Sequence, residues 1–408
     1  MEDQNNKPKS VNFILAANTA GSLTQIVAQC ANQLVDRDWE VHIAYPVFGF
    51  WNYHKFIVSE QSKSSSIQCK YWYQFFRFWW YLLRKLLRKV IIRSKGWEGA
   101  SIYKIYKLDA HIKLHRFWTT PSASRMPDAD VIIVLQNYLI PHLLFLPPSK
   151  GKVIGCIAMD YQDALKYNEG IALAWAQQML SIDQQLHVPR FALSNGIRIS
   201  AEALGVSVRR VIPLGVNIEE FNNGGREIQK NVPLRVMLFC GNPPSIKGQD
   251  FGCQVVRQLK QFYTDRQVKF VSVGQVKEEY KKMFNENLGY LYGQEYVRAY
   301  KNADIVIYPS FSDGFPAPPL EALAAGCALA TTAVQGVDEY CVHEKNSLMS
   351  KPGDAEGMIK NVRRLIEDSV LRISLSSEGL ATAKRYAWSV CAGKLVDFMD
   401  EIITDKGK

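Results

Sequence analysis

The length, composition and charge of this chain exclude several classes of protein. Its 408 residues, 47% of them hydrophobic, are too many for one ordinary core and predict two domains of about 150 to 200 residues each. The formal net charge of +10 would suit nucleic acid, but residues 70–95 hold eight Lys or Arg and no acid and so account for most of it. Scattered cysteines, a polar N-terminus and the lack of a long uncharged apolar run favour a cytoplasmic protein without a secretory signal or a membrane span.

The chain begins with the pattern of a strand, a tight loop, a helix and a second strand. This pattern covers residues 11–46 and predicts the βαβ opening of a doubly wound sheet, with Asn18 to Ser22 as the loop. Gly21 is the glycine of that loop. A glycine at this place either lines a ligand cleft or simply makes the turn, and the spacing leaves both interpretations open.

Residues 70–95 form the most unusual segment of the sequence. At 100° per residue the basic side chains form one stripe and the Trp, Phe and Leu side chains the opposite one, which predicts a basic amphipathic helix. The basic stripe consists of Lys70, Arg77, Arg84, Arg88 and Lys95. Such a helix binds in the plane of an anionic membrane surface, although a packed helix with a solvated basic face is an alternative. Binding of single-stranded nucleic acid is a third interpretation, but nothing else in the chain resembles such a module, and we expect no nucleic-acid partner.

Two further apolar runs, residues 131–137 and 152–160, predict parallel strands whose carboxyl ends reach a cleft. Asp160 ends the second run, and it either binds hydroxyl groups of a ligand in the cleft or caps the next helix. His111 and His115 would share one face of a helix if their segment were helical. Because no third ligand lies nearby, we interpret them as surface residues and expect no metal site.

The stretch from Ser312 to Gly326 carries the candidate site. The apolar run ADIVIYPS before it predicts a buried parallel strand, and a helix starts at the following prolines and stops at the glycine. The free N–H groups and the dipole of such a helix attract anions, with Asp313 in the loop and Glu321 in the first helical turn on either side. The two carboxylates either bind the hydroxyls of a nucleotide sugar or merely complement the helix dipole.

Residues 234–354 resemble the donor-binding half of glycosyltransferase family 4. The family's string of an acid, seven residues and a glutamate is matched by Asp313 and Glu321, with Asp in place of the usual first Glu. The resemblance implies the GT-B fold, an α/β architecture of two facing Rossmann-like doubly wound domains with a cleft between them. It also implies retaining, metal-independent transfer from a nucleoside-diphosphate sugar, which is a donor substrate, so that no cofactor is expected.

The resemblance also implies the division into domains. Residues 1–215 would form the acceptor-side domain, with an insertion at about residues 50–127 that carries the basic helix. Residues 216–385 would form the domain that binds the nucleotide-sugar donor. Residues 386–408 would form a helix that crosses back to the first domain.

Individual residues receive roles from the same resemblance. Lys247 falls on the family's diphosphate-binding lysine, whereas Asn242 stands where an arginine is usual. Asp313 would hold sugar hydroxyls and Glu321 ribose hydroxyls, and these two with Lys247 form the predicted catalytic set. The other predicted donor contacts lie in loops and at helix starts, and they are Gly21, Gly241, Asn242, Gly274, Tyr292, Gly293, Gly314, Phe315, Pro316 and Ala317.

The predicted function is hexosyl or deoxyhexosyl transfer to a lipid-linked or polysaccharide acceptor, at the cytoplasmic face of the cell membrane. Two other interpretations stay open. A catalytically silent GT-B protein could be a partner in a polysaccharide assembly complex, and the departures at Asp313, at Asn242 and at a histidine that the family often has near Asp160 favour it. A nucleotide-sugar epimerase could share the architecture, but no cluster of histidine and carboxylate marks a site of proton transfer.

Overall fold

The computed structural model describes residues 8–15, 22–46, 108–117, 121–222, 233–242 and 245–405. These residues form two parallel β-sheets with helices packed against them. The predicted α/β fold class is therefore confirmed. The predicted basic helix at residues 70–95 and the predicted loop glycine Gly21 lie outside the described residues.

The first sheet contains seven strands, connected mainly by helices. The strands are β1 (Ser10–Ile14), β2 (Glu40–Pro46), β3 (Lys113–Phe117), β4 (Val131–Val134), β5 (Lys152–Ile157), β6 (Arg190–Ala192) and β7 (Arg210–Val211). The helices are α1 (Ser22–Val35), α2 (Ile140–Leu143), α3 (Tyr161–Tyr167), α4 (Gly170–Gln185), α5 (Asn195–Ala203) and α6 (Ile218–Asn222). The strand order is β3-β2-β1-β4-β5-β6-β7, with every pair parallel.

The second sheet contains six strands and repeats the same plan. Its strands are β8 (Leu234–Cys240), β9 (Val268–Gly274), β10 (Glu286–Asn287), β11 (Ile305–Tyr308), β12 (Ala328–Thr332) and β13 (Leu348–Ser350). The helices are α7 (Gln249–Leu259), α8 (Glu278–Lys281), α9 (Gly293–Lys301), α10 (Ala317–Ala324), α11 (Ala355–Glu367), α12 (Ser369–Lys384) and α13 (Trp388–Thr404). The strand order is β10-β9-β8-β11-β12-β13, again with every pair parallel.

Both sheets reverse their strand order next to their first strand. In the first sheet β1 lies between β2 and β4, and in the second sheet β8 lies between β9 and β11. The loops that leave such a pair of strands diverge to opposite faces of the sheet and open a crevice at the carboxyl ends. The second sheet therefore places its crevice where the loops after β8 and β11 begin.

Helix α13 packs on the first sheet's side of the molecule, although it follows the second sheet in the chain. Its apolar face includes Phe398, whose ring lies edge-on to Phe191 of β6 with the ring centroids 6.3 Å apart. Ion pairs join Lys9 to Asp400 (2.7 Å) and Arg210 to Glu401 (2.5 Å). The limits predicted for the domains remain predictions, but these contacts fit a final helix that crosses back.

The segments that connect the two sheets lie side by side. The N–H of Val216 donates to the Tyr386 carbonyl (2.8 Å), and the N–H of Trp388 donates to the Val216 carbonyl (3.2 Å). Gly215 has no room for a side chain, because a Cβ there would lie 2.5 Å from Cδ2 of Trp388. The connection is therefore a closely packed pair of segments joined by an isolated β-bridge between Val216 and Ala387.

The interpretation of the two histidines in residues 111–115 was wrong in part. His111 is exposed, as expected, but the segment from Lys113 forms strand β3 and not a helix. His115 is half-buried, and its Nε2 lies 3.0 Å from Nδ1 of His42 on β2. The five residues KLHRF do not alternate strictly between polar and apolar, and their parallel pairing with β2 makes them a strand.

Candidate active site

The predicted site loop connects β11 to α10 and is held by the loop that follows β8. The N–H of Phe311 donates to the carbonyl of Ile246 (2.8 Å), and the hydroxyl of Ser310 donates to the same carbonyl (3.2 Å) and to that of Ser312 (2.9 Å). These bonds fix the two loops against each other. They bring Lys247 of one loop next to Asp313 of the other.

Lys247 and Asp313 form an ion pair at the centre of the site. The Lys247 ammonium donates to Oδ2 of Asp313 (2.5 Å) and lies 3.4 Å from the Ser312 carbonyl. The hydroxyl of Tyr308, the last residue of β11, donates to the same Oδ2 (2.5 Å). The two charged side chains are 20% and 18% exposed, so that the pair is sheltered but reachable from the cleft. An incoming anion could pair with the Lys247 ammonium in place of Asp313. The carboxylate of Asp313 could then accept a hydrogen bond from another group.

Glu321 lies deeper than the sequence predicted. It is the fifth residue of α10 and therefore stands in the second turn, and the prediction of the first turn was wrong. The residue is 7% exposed, and its Oε2 accepts a hydrogen bond from the hydroxyl of Tyr296 on α9 (2.6 Å). Burial raises the pKa of Glu321 to about 7, although the bond from Tyr296 lowers it.

The start of α10 offers fewer N–H groups than the sequence analysis assumed. The first four N–H groups of an α-helix have no partner within the helix and can bind anions. In α10 these positions are Pro316, Ala317, Pro318 and Pro319, and proline has no N–H. Of the four, only Ala317 can donate, so the helix end contributes its dipole and one backbone hydrogen bond.

The residues between Asp313 and α10 face the core and the first sheet. A Cβ on Gly314 would lie 2.7 Å from Cδ1 of Ile197, so a side chain there would displace Ile197 of the first half of the molecule. The ring of Phe315 is buried beside Tyr340, with the ring centroids 5.4 Å apart, and the Pro316 carbonyl accepts a hydrogen bond from the Tyr340 hydroxyl (2.5 Å). Phe315 and Pro316 can therefore contribute to a ligand site mainly through their backbone and the shape of the loop.

Three of the predicted donor contacts, Gly274, Tyr292 and Gly293, lie at the end of β9 and at the start of α9. Gly274 ends β9 with φ of +95°, and a Cβ there would lie 2.0 Å from the Cys240 carbonyl oxygen. Tyr292 is 59% exposed and precedes Gly293, which starts α9 with φ of +54°. An exposed aromatic ring beside a helix start can stack on a base.

The two other predicted donor contacts follow β8. Gly241 lies against the stem of Lys247, since a Cβ on it would lie 2.8 Å from Cγ of that lysine. Gly241 therefore lets Lys247 approach the strand end, and Asn242 beside it is exposed. An amide in that place can donate a hydrogen bond but carries no charge.

Helix α3 of the first half contacts the site loop. The hydroxyl of Ser312 donates to Oδ2 of Asp163 (2.5 Å), and the hydroxyl of Ser194 donates to the Gly314 carbonyl (2.8 Å). Asp160 caps α3, because its Oδ1 accepts hydrogen bonds from the N–H of Asp163 (3.0 Å) and from the Ser200 hydroxyl (2.7 Å). Of the two interpretations of Asp160, the structure supports the helix cap.

A buried network holds α3 in place. The hydroxyl of Tyr161 donates to the carboxylate of Asp183, which also accepts hydrogen bonds from Asn137 (2.9 Å) and Arg190 (3.2 Å). Because Tyr161 is the first residue of α3, this network fixes the end of the helix that carries Asp163.

Sequence reasoning missed the tyrosines of the site and its contacts with the first half. Tyr308 ends an otherwise aliphatic strand whose carboxyl end faces the crevice, and that position could have identified it. Tyr296 belongs to an amphipathic helix and gives no such signal. Ser312 and Asp163 are 149 residues apart in the chain, and only the packing of the two halves brings them together.

Neither a cluster of metal ligands nor a membrane-spanning helix occurs among the described residues. No group of three or more His, Cys, Asp and Glu side chains in the described ranges is arranged to hold a metal ion. None of the helices described above combines the length and the apolar character that a membrane span requires.

Comparison with known proteins places the site in a recognised domain. Residues 235–368 match the family model described as "Glycosyl transferases group 1". An N,N'-diacetylbacillosaminyl-diphospho-undecaprenol alpha-1,3-N-acetylgalactosaminyltransferase of Campylobacter jejuni is 29% identical over 107 residues, which are 26% of this chain and 28% of that protein. The chain spans between about a quarter and a half of the length of the curated relatives that it matches.

Solved structures extend the likeness to the whole fold. Sucrose-phosphate synthase from Thermosynechococcus elongatus superimposes with a TM-score of 0.67 and 13% identity, covering 98% of this chain and 100% of the other. Anabaena HepE in complex with UDP and glucose gives a TM-score of 0.66 and 12% identity, with coverage of 96% and 100%. At such identities the likeness concerns the fold alone. The chain thus has the GT-B fold, and Lys247, Asp313 and Glu321 lie within the residues that match the group 1 glycosyltransferase family model.

Proposed function

We propose that this protein transfers a sugar from a nucleoside-diphosphate sugar to a lipid-linked or glycan acceptor. One observation carries the proposal. Lys247 and Asp313 form an ion pair at the carboxyl end of the second sheet, and Glu321 lies on α10, which follows the same loop, all within the residues that match the group 1 glycosyltransferase family. A cation and a carboxylate beside a crevice, with a buried carboxylate on the next helix, suit a ligand that combines a diphosphate with sugar hydroxyls.

Binding of the donor would replace Asp313 with the diphosphate as the partner of Lys247. Its diphosphate would attract the Lys247 ammonium, which now rests on Asp313. Asp313 would then keep the hydrogen bond from Tyr308 and accept one from a sugar hydroxyl. Glu321, buried near the start of α10, would accept the hydroxyls of the ribose.

Catalysis would depend on stabilising the leaving group. Negative charge grows on the diphosphate as the bond to the sugar breaks, and Lys247, the Ala317 N–H and the dipole of α10 would stabilise that charge. No carboxylate is needed as a nucleophile in this scheme. Retention of configuration and independence of metals are part of the proposal and follow the family 4 resemblance.

The acceptor is proposed from two sources. The Campylobacter relative is named for a diphospho-undecaprenol acceptor, which is lipid-linked. The segment 70–95 carries the sequence pattern of a helix that binds an anionic membrane surface. If this helix bound the cytoplasmic face of the cell membrane, the cleft would lie near a lipid-linked acceptor. A peripheral position at that face belongs to the same proposal.

The experiment measures transfer directly. The purified protein is incubated with UDP-, GDP- and ADP-sugars and with vesicles that contain polyprenyl-diphosphate-linked glycans, and the release of free nucleoside diphosphate is followed. Lys247→Ala should reduce release at least a hundredfold, since one preorganised donor to a developing charge contributes about 3 kcal/mol. Lys113→Ala removes a lysine that pairs with Glu40 at the edge of the first sheet (2.6 Å), and it should act like wild type. Equal rates for the two variants would contradict the proposed donor site.

The silent-partner alternative has three structural observations in its favour. Lys247 is already paired, Asn242 carries no charge, and three of the four first positions of α10 lack an N–H, all of which would weaken the binding of a diphosphate. Wild-type protein that binds a nucleotide sugar but releases no nucleoside diphosphate with any donor and acceptor would support this alternative.

A further inference from the structure

A cluster of aromatic side chains surrounds the buried carboxylate of Glu321. The hydroxyl of Tyr296 donates to its Oε2 (2.6 Å) and lies 3.0 Å from the hydroxyl of Tyr300, one helical turn further along α9. Phe221, on the short helix α6, lies edge-on to both rings, with centroid distances of 6.5 and 5.7 Å. This packing leaves Tyr296 little freedom to turn its hydroxyl away from Glu321.

We propose that Tyr296 is a positioning residue that holds Glu321 in place and keeps it ionised so that it can accept the ribose hydroxyls of the donor. The inference rests on the proposed function, because it assigns a supporting residue to the same nucleotide site. A carboxylate can accept several hydrogen bonds on its two oxygens. The bond from Tyr296 therefore fixes one oxygen and leaves capacity for two hydroxyls.

The charges around Glu321 explain why an ionised state needs support. Burial raises its pKa to about 7, and the nearby Glu220 on α6 raises it as well. Hydrogen bonds from Tyr296 and Tyr300 lower this pKa, because they favour the charged form. The pKa of Tyr296 itself is raised well above its usual range by burial and by Glu321, as is that of the neighbouring Tyr300, so that both hydroxyls stay protonated. Without the Tyr296 hydroxyl, a larger fraction of Glu321 would be neutral at pH 7.

The pH dependence of nucleotide binding tests this role. The dissociation constants of UDP and GDP are measured by calorimetry at pH 6, 7 and 9 for wild type and for Tyr296→Phe. For whichever of UDP and GDP binds wild type more tightly, we expect the variant's dissociation constant at pH 7 to be about tenfold higher, because a hydrogen bond to a charged group is lost. At pH 9 Glu321 is ionised in both proteins, and the difference should shrink to about threefold or less.

Two controls separate this role from general damage. Tyr263→Phe removes a matched Tyr to Glu hydrogen bond, from Tyr263 to Glu367 (2.6 Å), at another surface of the same half, and it should leave every dissociation constant unchanged. The 2′,3′-dideoxy form of the nucleotide has the same phosphates but no ribose hydroxyls, so Tyr296→Phe should bind it as wild type does. Tyr300→Phe, a second variant, should show the same pH signature to a smaller degree.

Several outcomes would overturn the inference. Equal binding by Tyr296→Phe and wild type at pH 7, or a loss that is the same at pH 9 and for the dideoxy nucleotide, would show that Tyr296 has no role toward the ribose. Both results leave the proposed function intact. Wild-type protein that binds none of UDP, GDP, ADP and dTDP would overturn the proposed function and this inference together.

Discussion

At the scale of single residues, the site is defined by one shared counterion. Asp313 is bonded to both Lys247 and Tyr308, so that its negative charge and the positive charge of Lys247 cancel before any ligand arrives. In the proposed mode of binding, a donor must break this pair. The strength of nucleotide binding would then depend on how firmly Asp313 holds Lys247.

Asp313→Asn tests this balance. The amide no longer neutralises Lys247, so we expect UDP or GDP, whichever the protein prefers, to bind about threefold more tightly, because a charge-assisted bond is no longer broken. The rate of transfer should fall at least tenfold, since the amide is a weaker acceptor for sugar hydroxyls. Calorimetry and a transfer assay check the two effects, with Glu40→Gln, which removes the partner of Lys113, as the matched control.

Asp313→Glu should keep or raise the rate of transfer. An inactive Asp313→Glu variant beside an active Asp313→Asn variant would contradict the role given to this carboxylate.

Glu321 also affects stability, in a direction that can be measured. Its pKa is about 7 in the folded protein and near the ordinary value of 4.5 in the unfolded chain. The unfolded chain therefore loses its proton first as the pH rises, and the stability of the folded state falls between about pH 4.5 and 7 by up to about 3 kcal/mol.

Glu321→Gln should remove that dependence. We expect the variant to be more stable than wild type at pH 8 by about 1 to 3 kcal/mol, and to differ little at pH 5, where the glutamate is neutral in the folded protein. Chemical denaturation at both pH values measures the difference. A variant that is destabilised equally at both would show that burial does not penalise the charge of Glu321.

The sequence predicted the positions of the site residues better than their contacts. Lys247, Asp313 and Glu321 were identified because a motif fixes their spacing along loops that follow buried strands. The ion pair of Lys247 with Asp313 was not predicted, because a match to a motif gives no side-chain distances. The burial of Glu321 was missed because it depends on α9 packing on α10, which no local pattern encodes.

At the scale of elements, the short helix α10 shows how proline serves two purposes. The prolines at positions 316, 318 and 319 have backbone angles that suit a helix start, which is why the start was predicted correctly from the sequence. The same prolines remove N–H groups that would face an anion. Strand β3 shows the opposite case: its segment is too short for periodicity to decide between helix and strand.

Pro318→Ala should strengthen the binding of a diphosphate. Alanine keeps the helix and adds one N–H at its start, which contributes a charge-assisted hydrogen bond and about a three- to tenfold gain in affinity for UDP or GDP. Calorimetry measures the gain, and Pro141→Ala at the start of α2 is the control for replacing a proline in the first turn of a helix. An unchanged affinity would mean that the start of α10 does not face the phosphates.

At the scale of the whole molecule, the two halves touch through the site loop itself. Ser312 and Gly314 bond to Asp163 and Ser194 of the first half, on either side of Asp313. A third contact joins the N–H of Asn195 to the carboxylate of Glu339. Any movement of one half relative to the other must therefore move the loop that holds Lys247. The sequence predicted two facing sheets, but it could not predict this contact, since it depends on how the halves pack.

The basic segment 70–95 leads to a prediction about the whole protein. Replacing Lys70, Arg77, Arg84, Arg88 and Lys95 with Gln should release the protein from anionic vesicles, since five charges contribute on the order of 5 kcal/mol near such a surface. Transfer from a donor to a soluble acceptor should persist. The control changes an equal number of exposed cations in the second half, which are Arg266, Lys282, Lys345, Lys351 and Lys360. Vesicle flotation at low and high salt measures binding, and wild-type protein that ignores anionic vesicles at low salt would contradict the prediction.

Helix α13 has a consequence for the order in which the protein can fold during synthesis. Phe398 covers Phe191 of the first sheet, and the thiol of Cys391 donates to the Leu214 carbonyl (3.6 Å), yet both residues are translated after the whole second sheet. A ribosome that has finished the first sheet has therefore not yet made the helix that completes its core. The first half therefore exposes the apolar surface that α13 covers until Trp388–Thr404 has been synthesised. A premature stop anywhere in the second half would leave both halves incomplete.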